Sequence, residues 1–328
     1  MESVYIDRRD TTLFVEGSRL LVHHPDMVKA QSIPLAHLRF VVISANVSLT
    51  TNVLQAFSKA DIACIVINPR KTDDITFTLP FRHGHAERRL AQYALYQRPE
   101  LRQQAAQNLV LYKITAQQKN LQRLLLNHPQ HKRGLSKSIQ SLDGIRQSLK
   151  AQSHSIESLR GFEGAAASNY FTGLSYCVAA SLYFTGRNRR PPKDPVNAIL
   201  SLTYTLIHYE CIRCLTAVGL DPMIGFYHDL SYKRESLACD MVELLRPKID
   251  YWVIKQFNQQ VLRVDHFSMD ESVNGGCTLG KTGRACFYAA YEYQAKHWRK
   301  VLRQIARLWL KQLKPYFVAI DNAENDDE

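Results

Sequence analysis

Two carboxylates and a histidine are the residues of this sequence best suited to chemistry. The first carboxylate, Glu163, stands in the segment GFEGAAA among residues with almost no side-chain bulk. A glycine inside a helical pattern costs roughly 1 kcal/mol relative to alanine, so Gly161 and Gly164 need a reason. Either the helix packs tightly on a neighbour, or the small side chains leave room for a large ligand to reach Glu163. The sequence leaves both explanations open.

The second carboxylate, Glu243, lies in the segment SLACDMVELLRP, which predicts a helix beginning near Ser236. Asp240 and Glu243 are three residues apart, so they share one face of that helix. Two like charges at this spacing repel each other unless a cation lies between them. The side chain of Arg246 is one candidate for that cation, and a bound metal ion is the other.

The histidine, His228, follows the turn-rich apolar segment GLDPMIGFY. In such a setting a histidine is either a structural group or a ligand. Together with Glu163 and Glu243, and with Asp240 nearby, it would complete an oxygen-rich set with one imidazole. Mg²⁺ or Mn²⁺ suits that set better than zinc does.

The charge balance favours a polyanionic partner. Lys and Arg number 42 against 30 Asp and Glu, which gives a formal net charge of +12, and five of the acids lie in the last eight residues. The rest of the chain is therefore more basic still, and nucleic acid is the polyanion that such a field commonly attracts. The acidic end, residues 317–328, is expected to be a solvated, disordered tail.

Two basic clusters are candidates for contacts with DNA phosphates. The first is RNRRPPK, where a pair of prolines stiffens the connection between two predicted helices, and the second directly precedes the acidic helix. An ordinary solvated connection is the alternative for the first cluster. The residues expected to bind DNA are Arg187, Arg189, Arg190, Lys193, Lys233 and Arg234.

The hydrophobic period divides the chain into a strand-rich beginning and a helical remainder. Alternating and β-branched runs predict strands up to about residue 80, with one short helix at 50–60, and from about residue 86 the period is helical. The predicted fold class is α+β, with an N-terminal mainly-β domain at 1–82, an all-helical catalytic domain at 83–316, and the tail. The expected helices are 86–97, 100–126, 141–160, 162–184, 195–217, 235–261 and 283–313, and 127–140 is expected to be a polar connection.

Apolar runs and cysteines bear on the compartment. The apolar runs are too short to span a bilayer, and the first residues lack the apolar segment of a signal peptide. Seven scattered cysteines do not make a disulfide framework. Cys211 and Cys214 have no second pair at zinc-finger spacing, which indicates packing residues. We therefore expect a cytoplasmic protein without membrane contact.

Five segments resemble, in order and spacing, one known family across essentially the whole chain. They are GFEGAAASNYF, GRNRRPPKDPVNAILSLTYTLI, GLDPMIGFYH, SLACDMVELLRP and GGCTLGKTGRACFYAAYE. The family is the integrase of CRISPR adaptation, the Cas-one endonuclease family. Two departures are small, because Leu245 stands where an aromatic residue is frequent and Glu235 where a smaller residue or proline is common. Neither position is a proposed ligand.

The resemblance implies a role for each candidate residue. Glu163, His228 and Glu243 occupy the positions of the family's three metal ligands, and Asp240 that of its nearby supporting acid. The resemblance also implies a homodimer, with dimer and partner contacts in the N-terminal domain, that joins a small ferredoxin-like Cas-two subunit. Such an assembly inserts short double-stranded DNA fragments into a repeat array.

Three functions are distinguished by the chemistry that they require. An integrase uses Mg²⁺ or Mn²⁺ while a 3′-hydroxyl of the incoming fragment attacks a phosphodiester of the repeat, and nuclease activity is expected of the same site. A stand-alone metal-dependent nuclease of branched DNA would cleave without joining. A catalytically idle DNA-binding scaffold would not need an intact Glu-His-Glu set. The sequence favours the integrase.

Overall fold

The computed structural model describes residues 3–67, 75–80, 85–188, 191–232, 234–270 and 275–316. The chain forms two compact units. The strand unit comprises residues 1–82, 178–209 and 253–296, and the helical unit comprises 83–177, 210–252 and 297–328. A strand-rich beginning is thus followed by a mostly helical remainder, which confirms the α+β class.

Two four-stranded sheets lie in the strand unit. The first sheet has the order β1-β5-β7-β8, in which β8 alone runs antiparallel to its neighbour, and the second has the order β4-β3-β2-β6. In the second sheet β3 is antiparallel to both neighbours, and β2 and β6 are parallel. The strands are β1 Ser3–Ile6, β2 Thr11–Glu16, β3 Arg19–His23, β4 Gln31–Pro34, β5 Phe40–Ile43, β6 Val47–Leu49, β7 Ala63–Ile67 and β8 Ile75–Thr78.

The alternation of side chains explains how these strands bury their faces. In β2 the first four residues alternate between buried and exposed, so that Leu13 enters the core, whereas all four residues of β5 are buried. The helix α1, Thr51–Lys59, adds Val53 and Phe57 to the same core. Gly17 turns the chain between β2 and β3 with a φ of +56°, a conformation that glycine adopts without strain.

Two later segments, residues 178–209 and 253–296, belong to the strand unit, although the hydrophobic period assigns them to the helical domain. The second of them contains a hairpin, β9 Phe267–Asp270 and β10 Gly276–Leu279, that the sequence did not predict. The backbone N–H of Cys277 donates to the carbonyl of Pro192 at 2.7 Å, which ties the two segments together. The Tyr5 hydroxyl donates to Glu292 at 3.0 Å, which ties β1 to the last long helix.

In the described ranges seven helices follow the predicted order, but the predicted bounds of the third and fourth are wrong, and the fourth ends at Ser175 rather than at residue 184. Residues 132–140 are helical rather than a connection, because Leu135, Ser138 and Leu142 bury one face at helical spacing. The chain instead breaks after residue 151, where the Ser155 side chain caps the next helix by accepting from the Ser158 N–H at 3.2 Å. The helices are α2 Ala86–Tyr96, α3 Pro99–Asn127, α4 Lys132–Ala151, α5 Ile156–Ser175, α6 Pro195–Ala217, α7 Ser236–Asn258 and α8 Lys281–Leu313.

The helices α3, α4 and α5 approach one another closely at Gly173. A Cβ atom there would lie 2.9 Å from the Leu121 side chain and 3.1 Å from that of Ser138. Only glycine therefore permits this spacing, which fixes α5 against α3. Across the described ranges, no helix has the length and apolarity needed to cross a membrane.

Candidate active site

The loop that carries His228 is wrapped around one buried carboxylate. Asp240 lies on the second turn of α7, and its side chain is fully buried. It accepts hydrogen bonds from the backbone N–H groups of Phe226 at 2.6 Å, Tyr227 at 3.0 Å and His228 at 3.0 Å. Three backbone donors on one carboxylate fix the path of the loop, because losing any of them would leave a buried polar group unpaired.

The same carboxylate orients the imidazole of His228. Nδ1 lies 2.7 Å from Asp240 Oδ1, so Nδ1 carries the proton and donates it. Within the described part of the chain no hydrogen bond reaches the other ring nitrogen, Nε2. The ring is 26% exposed. A histidine held at one nitrogen by a carboxylate and open at the other is the usual arrangement of a metal ligand with its supporting acid.

Gly225 lets this loop approach α7. A Cβ atom at that position would lie 2.7 Å from the backbone carbonyl carbon of Ser236 and 2.9 Å from Oδ2 of Asp240. Any larger residue would push the loop away from the carboxylate that holds it. The close approach of the loop to α7 therefore requires a glycine at position 225.

Asp229, the residue after His228, anchors the loop to two helices. Its carboxylate forms ion pairs with Arg102 on α3 and Arg160 on α5. The hydrogen bond from Arg160 is the first cause of a lowered pKa at Asp229; burial opposes it, and the bond from Arg102 reinforces it. The imidazole of His228 is thus held between a clamp on α3 and α5 and a carboxylate on α7.

The two glutamates share one buried ammonium group. Lys113 on α3 forms ion pairs with Glu163 on α5 and, at 2.5 Å, with Oε2 of Glu243 on α7. Arg246 binds the other oxygen of Glu243 at 3.0 Å. The spacing of Asp240 and Glu243 suggested one cation between the two acids, but Arg246 pairs with Glu243 and Asp240 is held by the loop.

The three side chains of this cluster, Lys113, Glu163 and Glu243, differ in their exposure to solvent. The side chains of Lys113 and Glu243 are 4% and 6% exposed, whereas that of Glu163 is 25% exposed. Burial raises the pKa of Glu243, but the charges of Arg246 and Lys113 lower it by more and bring it to about 2. Glu243 is therefore anionic at neutral pH, and Glu163 is the carboxylate that solvent reaches.

The two glycines beside Glu163 have open space rather than a neighbour. A Cβ atom at Gly161 or Gly164 would have no heavy atom within 4 Å, apart from its own chain neighbours and helix backbone. Tight packing, one of the two explanations that the sequence allows, is therefore wrong. Access to Glu163 is the explanation that fits, since the surface next to this carboxylate carries almost no side-chain bulk.

The hydroxyl of Tyr227 belongs to the same electrostatic environment. Burial is the first cause of a raised pKa at Tyr227, and the charges of Glu163 and Glu243 raise it further. The phenol therefore keeps its proton at neutral pH. It is an uncharged hydrogen-bond donor group within the field of the two glutamates.

The donor set fits a hard divalent cation. Glu163 and Glu243 supply carboxylate oxygens from two helices, and His228 supplies one imidazole nitrogen, a mixture that Mg²⁺ and Mn²⁺ accept. In the described ranges, no three of the His, Cys, Asp and Glu side chains converge at metal-binding distances. The ammonium group of Lys113 pairs with both glutamates instead, which marks their surroundings as a place where the fold stabilises positive charge.

Arg187, predicted to bind DNA, is engaged within the strand unit. Its guanidinium donates to Asn197 Oδ1 at 2.8 Å and to Ser201 Oγ at 3.0 Å, and it lies over the ring of Tyr204. These contacts hold the residues before α6 against its first turns. The guanidinium of Arg187 is thus engaged in contacts with α6.

The other predicted DNA-binding residues are placed only in part. Lys193 is exposed, and its backbone N–H donates to Asn188 at 2.9 Å. Arg234 donates to the carbonyl of Asp229 and so supports the histidine loop. Three members of the set lie outside the described residues, namely Arg189, Arg190 and Lys233.

Lys113 is the functional candidate that sequence reasoning missed. It occupies a position of the buried face of α3 that the neighbouring apolar residues Leu109, Val110 and Ile114 define. A lysine on such a face requires a buried counter-charge, because an unpaired ammonium is almost never buried. That signal could have been found, whereas the identity of its partners, 50 residues and more away in sequence, could not.

Cys211 and Cys214 are both buried and free. Burial raises the pKa of the Cys214 thiol to about 11, and that of Cys211 well above its ordinary value. Such protonated, enclosed thiols are poor ligands and poor nucleophiles. Their surroundings agree with packing residues.

A strand unit and a unit of long helices define a fold that is shared with solved structures of other proteins. A solved casposase bound to integration product matches with a TM-score of 0.80, covering 99% of this chain and 96% of that chain at 19% identity. A Cas6-RT-Cas1–Cas2 complex matches with a TM-score of 0.79, covering 98% of this chain and 36% of a longer one at 20% identity. At these identities the likeness shows the fold alone.

Sequence comparison identifies the family. The model of the family described as CRISPR associated protein Cas1 matches residues 4–293. The CRISPR-associated endonuclease Cas1 1 of Thermodesulfovibrio yellowstonii is 37% identical over 316 residues, which cover 95% of this chain and 98% of that protein. The chain belongs to the Cas1 family of CRISPR-associated endonucleases. The resemblance in the five sequence segments is thereby confirmed.

Proposed function

We propose that this protein is the integrase of CRISPR adaptation and that its strand chemistry depends on a divalent metal. Glu163, His228 and Glu243 are the proposed ligands of Mg²⁺ or Mn²⁺, and Asp240 is the proposed supporting acid. A 3′-hydroxyl of a short DNA fragment attacks a phosphodiester of the repeat array. The observation that carries the proposal is the cluster in which glutamates from two helices share one buried ammonium group, with open space beside Glu163.

Each residue of the site has a task that follows from its contacts. When bound, the cation would polarise the scissile phosphate and stabilise charge on the leaving oxygen. Asp240 binds Nδ1 of His228, so that Nε2 is the nitrogen left to bind the metal. Asp229 ties the loop of His228 to α3 and α5. Tyr227 keeps its hydroxyl proton and offers a neutral donor group beside the glutamates.

The open side of Glu163 supports a large substrate. Because Gly161 and Gly164 have no Cβ, a DNA backbone can approach this helix more closely than it could if both were larger residues. The net charge of +12 attracts the phosphates. The basic residues Lys193 and Arg234, with Arg189, Arg190 and Lys233, are proposed to hold the duplex. Arg187 is proposed to position that loop.

The assembly is proposed from the family. The proposed partners are a second copy of this chain, contacted through the N-terminal domain, and a small ferredoxin-like Cas2 subunit. The substrates are a short double-stranded DNA fragment and the repeat array. Seven free cysteines suit a reducing compartment, so we propose that the reaction takes place in the cytoplasm.

A joining assay tests the integrase. Purified protein and Cas2 are mixed with a short duplex that carries free 3′-hydroxyls and with a supercoiled plasmid that carries the repeat, in Mg²⁺ or Mn²⁺. We expect the labelled duplex to become covalently joined to the plasmid, and we expect a duplex with 3′-dideoxy ends to fail. Chelator should abolish joining.

Two other outcomes identify the competing functions. Strong cleavage of branched DNA without joined product would indicate a stand-alone nuclease. DNA binding that persists in chelator, without strand chemistry in either metal, would indicate a scaffold. Either result would contradict the integrase proposal.

A further inference from the structure

The ammonium group of Lys113 contacts both carboxylates of the proposed metal centre. It pairs with Glu163 and with Oε2 of Glu243, the carboxylates that belong to α5 and α7. Divalent cations of the Mg²⁺ type hold carboxylate oxygens at about 2.0–2.1 Å. A metal bound by both glutamates would therefore lie within a few ångströms of an ammonium that also binds both. Two positive charges at such a separation repel each other strongly in a buried site.

We propose that Lys113 is a resident counter-ion that a divalent metal must displace, so that this lysine sets the metal affinity of the site. The inference rests on the proposed function, since it assumes that Glu163 and Glu243 are metal ligands. Lys113 is a positioning residue in this account. It holds the two carboxylates in place and prevents their mutual repulsion in the metal-free protein.

The burial of the cluster makes such a counter-ion necessary. Glu243 is 6% exposed and Lys113 4% exposed, so water does little to screen them. Arg246 neutralises one oxygen of Glu243. Removing the ammonium without replacing its charge would leave the remaining oxygen of Glu243 and the carboxylate of Glu163 uncompensated.

The exposure of Glu163 gives the metal a route to the cluster. Glu163 is 25% exposed and lies beside the open surface at Gly161 and Gly164. A cation can therefore meet Glu163 first and take over Glu243 as the ammonium leaves. A buried pair that lacked such an accessible member would be a purely structural contact.

The linkage between the two cations predicts a distinctive result. If the metal must displace Lys113, the free energy of breaking both ion pairs is subtracted from metal binding. Lys113→Met removes the competitor while keeping an unbranched side chain of similar length. We expect Lys113→Met to bind Mn²⁺ at least tenfold more tightly than the wild type, which corresponds to about 1.4 kcal/mol.

The experiment measures Mn²⁺ binding by calorimetry, and thermal unfolding in chelator and in saturating Mn²⁺. The matched control is Lys119→Met, which removes an exposed lysine six residues further along α3. We expect Lys113→Met to unfold at a lower temperature than the wild type in chelator and to recover in Mn²⁺. Lys119→Met should behave like the wild type in both measurements.

The outcomes separate this inference from the proposed function. If the wild type binds Mn²⁺ but Lys113→Met binds it equally or more weakly, the inference is overturned and the metal centre stands. An equal loss of thermal stability with and without Mn²⁺ would also overturn it, since a merely structural lysine behaves in that way. If neither the wild type nor any variant binds Mn²⁺, the metal centre of the proposed function fails as well.

A second variant keeps the test decisive if Lys113→Met does not fold in chelator. Lys113→Arg retains the charge and offers several fixed N–H donors to the carboxylates. A stronger resident cation is harder to displace, so we expect Lys113→Arg to bind Mn²⁺ at least tenfold more weakly than the wild type. Affinity equal to or above that of the wild type would overturn the inference.

Discussion

Two clusters of charged side chains in the helical unit differ in how completely cations neutralise their buried carboxylate. Glu210 on α6 is fully buried, and two guanidinium groups serve this one carboxylate. Arg299 Nε lies 2.7 Å from one of its oxygens and Arg213 Nη2 lies 2.9 Å from the other. Burial raises the pKa of Glu210, but the charges of the two arginines lower it by more.

The cluster of Glu163 and Glu243 is less completely neutralised. Lys113 pairs with both carboxylates, Arg246 pairs with Glu243, and Glu163 is open to solvent. Glu210 is buried and already paired with two guanidinium groups, so it does not require a further cation. Glu163 and Glu243 share one ammonium group, and we propose that a metal ion can replace it. The difference separates a structural ion pair from the proposed metal centre, although both are built from the same residue types.

The largest effect is expected from Glu163→Gln. The substitution keeps the shape of the side chain and removes the accessible charge of the proposed metal centre. Because metal stabilisation of the leaving oxygen contributes several kcal/mol, we expect strand joining to fall by about 10³-fold or more. The rate of joining in Mg²⁺ and in Mn²⁺ measures this, with DNA binding followed in parallel.

Glu157→Gln is the matched control for this substitution. Glu157 lies on the first turn of the same helix and is exposed. We expect joining by Glu157→Gln to stay close to that of the wild type, and DNA binding by both variants to be nearly unchanged. Normal joining by Glu163→Gln would mean that a different residue is the ligand.

Arg299→Met tests the sealed cluster. It leaves the buried Glu210 with one guanidinium group instead of two. Breaking a buried ion pair in this way typically costs about 3 kcal/mol of unfolding free energy. Urea unfolding measures the loss, and we expect the Mn²⁺ affinity of the folded protein to stay unchanged. A stability equal to that of the wild type would show that Arg299 is not the support that its contacts suggest.

Some of this arrangement could be predicted from the sequence. Strand alternation and helical period identified the elements around the site, and the motifs around Glu163, His228 and Glu243 identified the candidate ligands. The hydrogen bonds of Asp240 to the His228 loop agree with its predicted role as a supporting acid. A local pattern is enough for such features, because the residues concerned lie 12 to 14 positions apart.

Other features depend on contacts that no local pattern contains. Lys113 meets Glu163 across 50 residues and Glu243 across 130, so the shared ammonium appears only once the helices are packed. Arg299 lies among many other cations in the sequence of α8, yet it is buried against Glu210, 89 positions away. The helix at 132–140 was missed because its polar residues hide a narrow buried face.

Asp240→Asn tests the loop that orients His228. The amide retains one carbonyl oxygen as acceptor, but its NH₂ group cannot accept from a backbone N–H or from Nδ1 of His228. We expect Mn²⁺ affinity to fall roughly 10- to 100-fold, as is typical when the group behind a metal-binding histidine is lost. Calorimetry at fixed pH measures the change, and thermal unfolding identifies any part that comes from the fold.

The result for Asp240→Asn distinguishes a role in holding the loop from a role in orienting the imidazole of His228. Unaltered Mn²⁺ affinity together with a lower unfolding temperature would assign Asp240 to the loop alone. A loss of affinity at nearly constant stability would assign it to the orientation of His228.

The smallest effect is expected in acid. The pKa of Glu243 lies at about 2 in the folded protein, below its ordinary value of 4.5. Its contribution to stability is therefore complete above about pH 4.5 and is lost as the pH falls towards 2. We expect the unfolding free energy of the wild type to decline more steeply over this range than that of Glu243→Gln. Equal slopes in urea titrations at several pH values would contradict the ion pairs of Glu243 with Lys113 and Arg246.

The most direct test of the proposed metal centre is Mn²⁺ binding by the wild type, Glu163→Gln and Glu157→Gln, followed by electron paramagnetic resonance. If the carboxylate of Glu163 is a metal ligand, the wild type and Glu157→Gln bind one Mn²⁺ per chain with the same affinity, and Glu163→Gln loses that site. Equal binding by all three proteins would contradict the metal centre and the strand chemistry assigned to it.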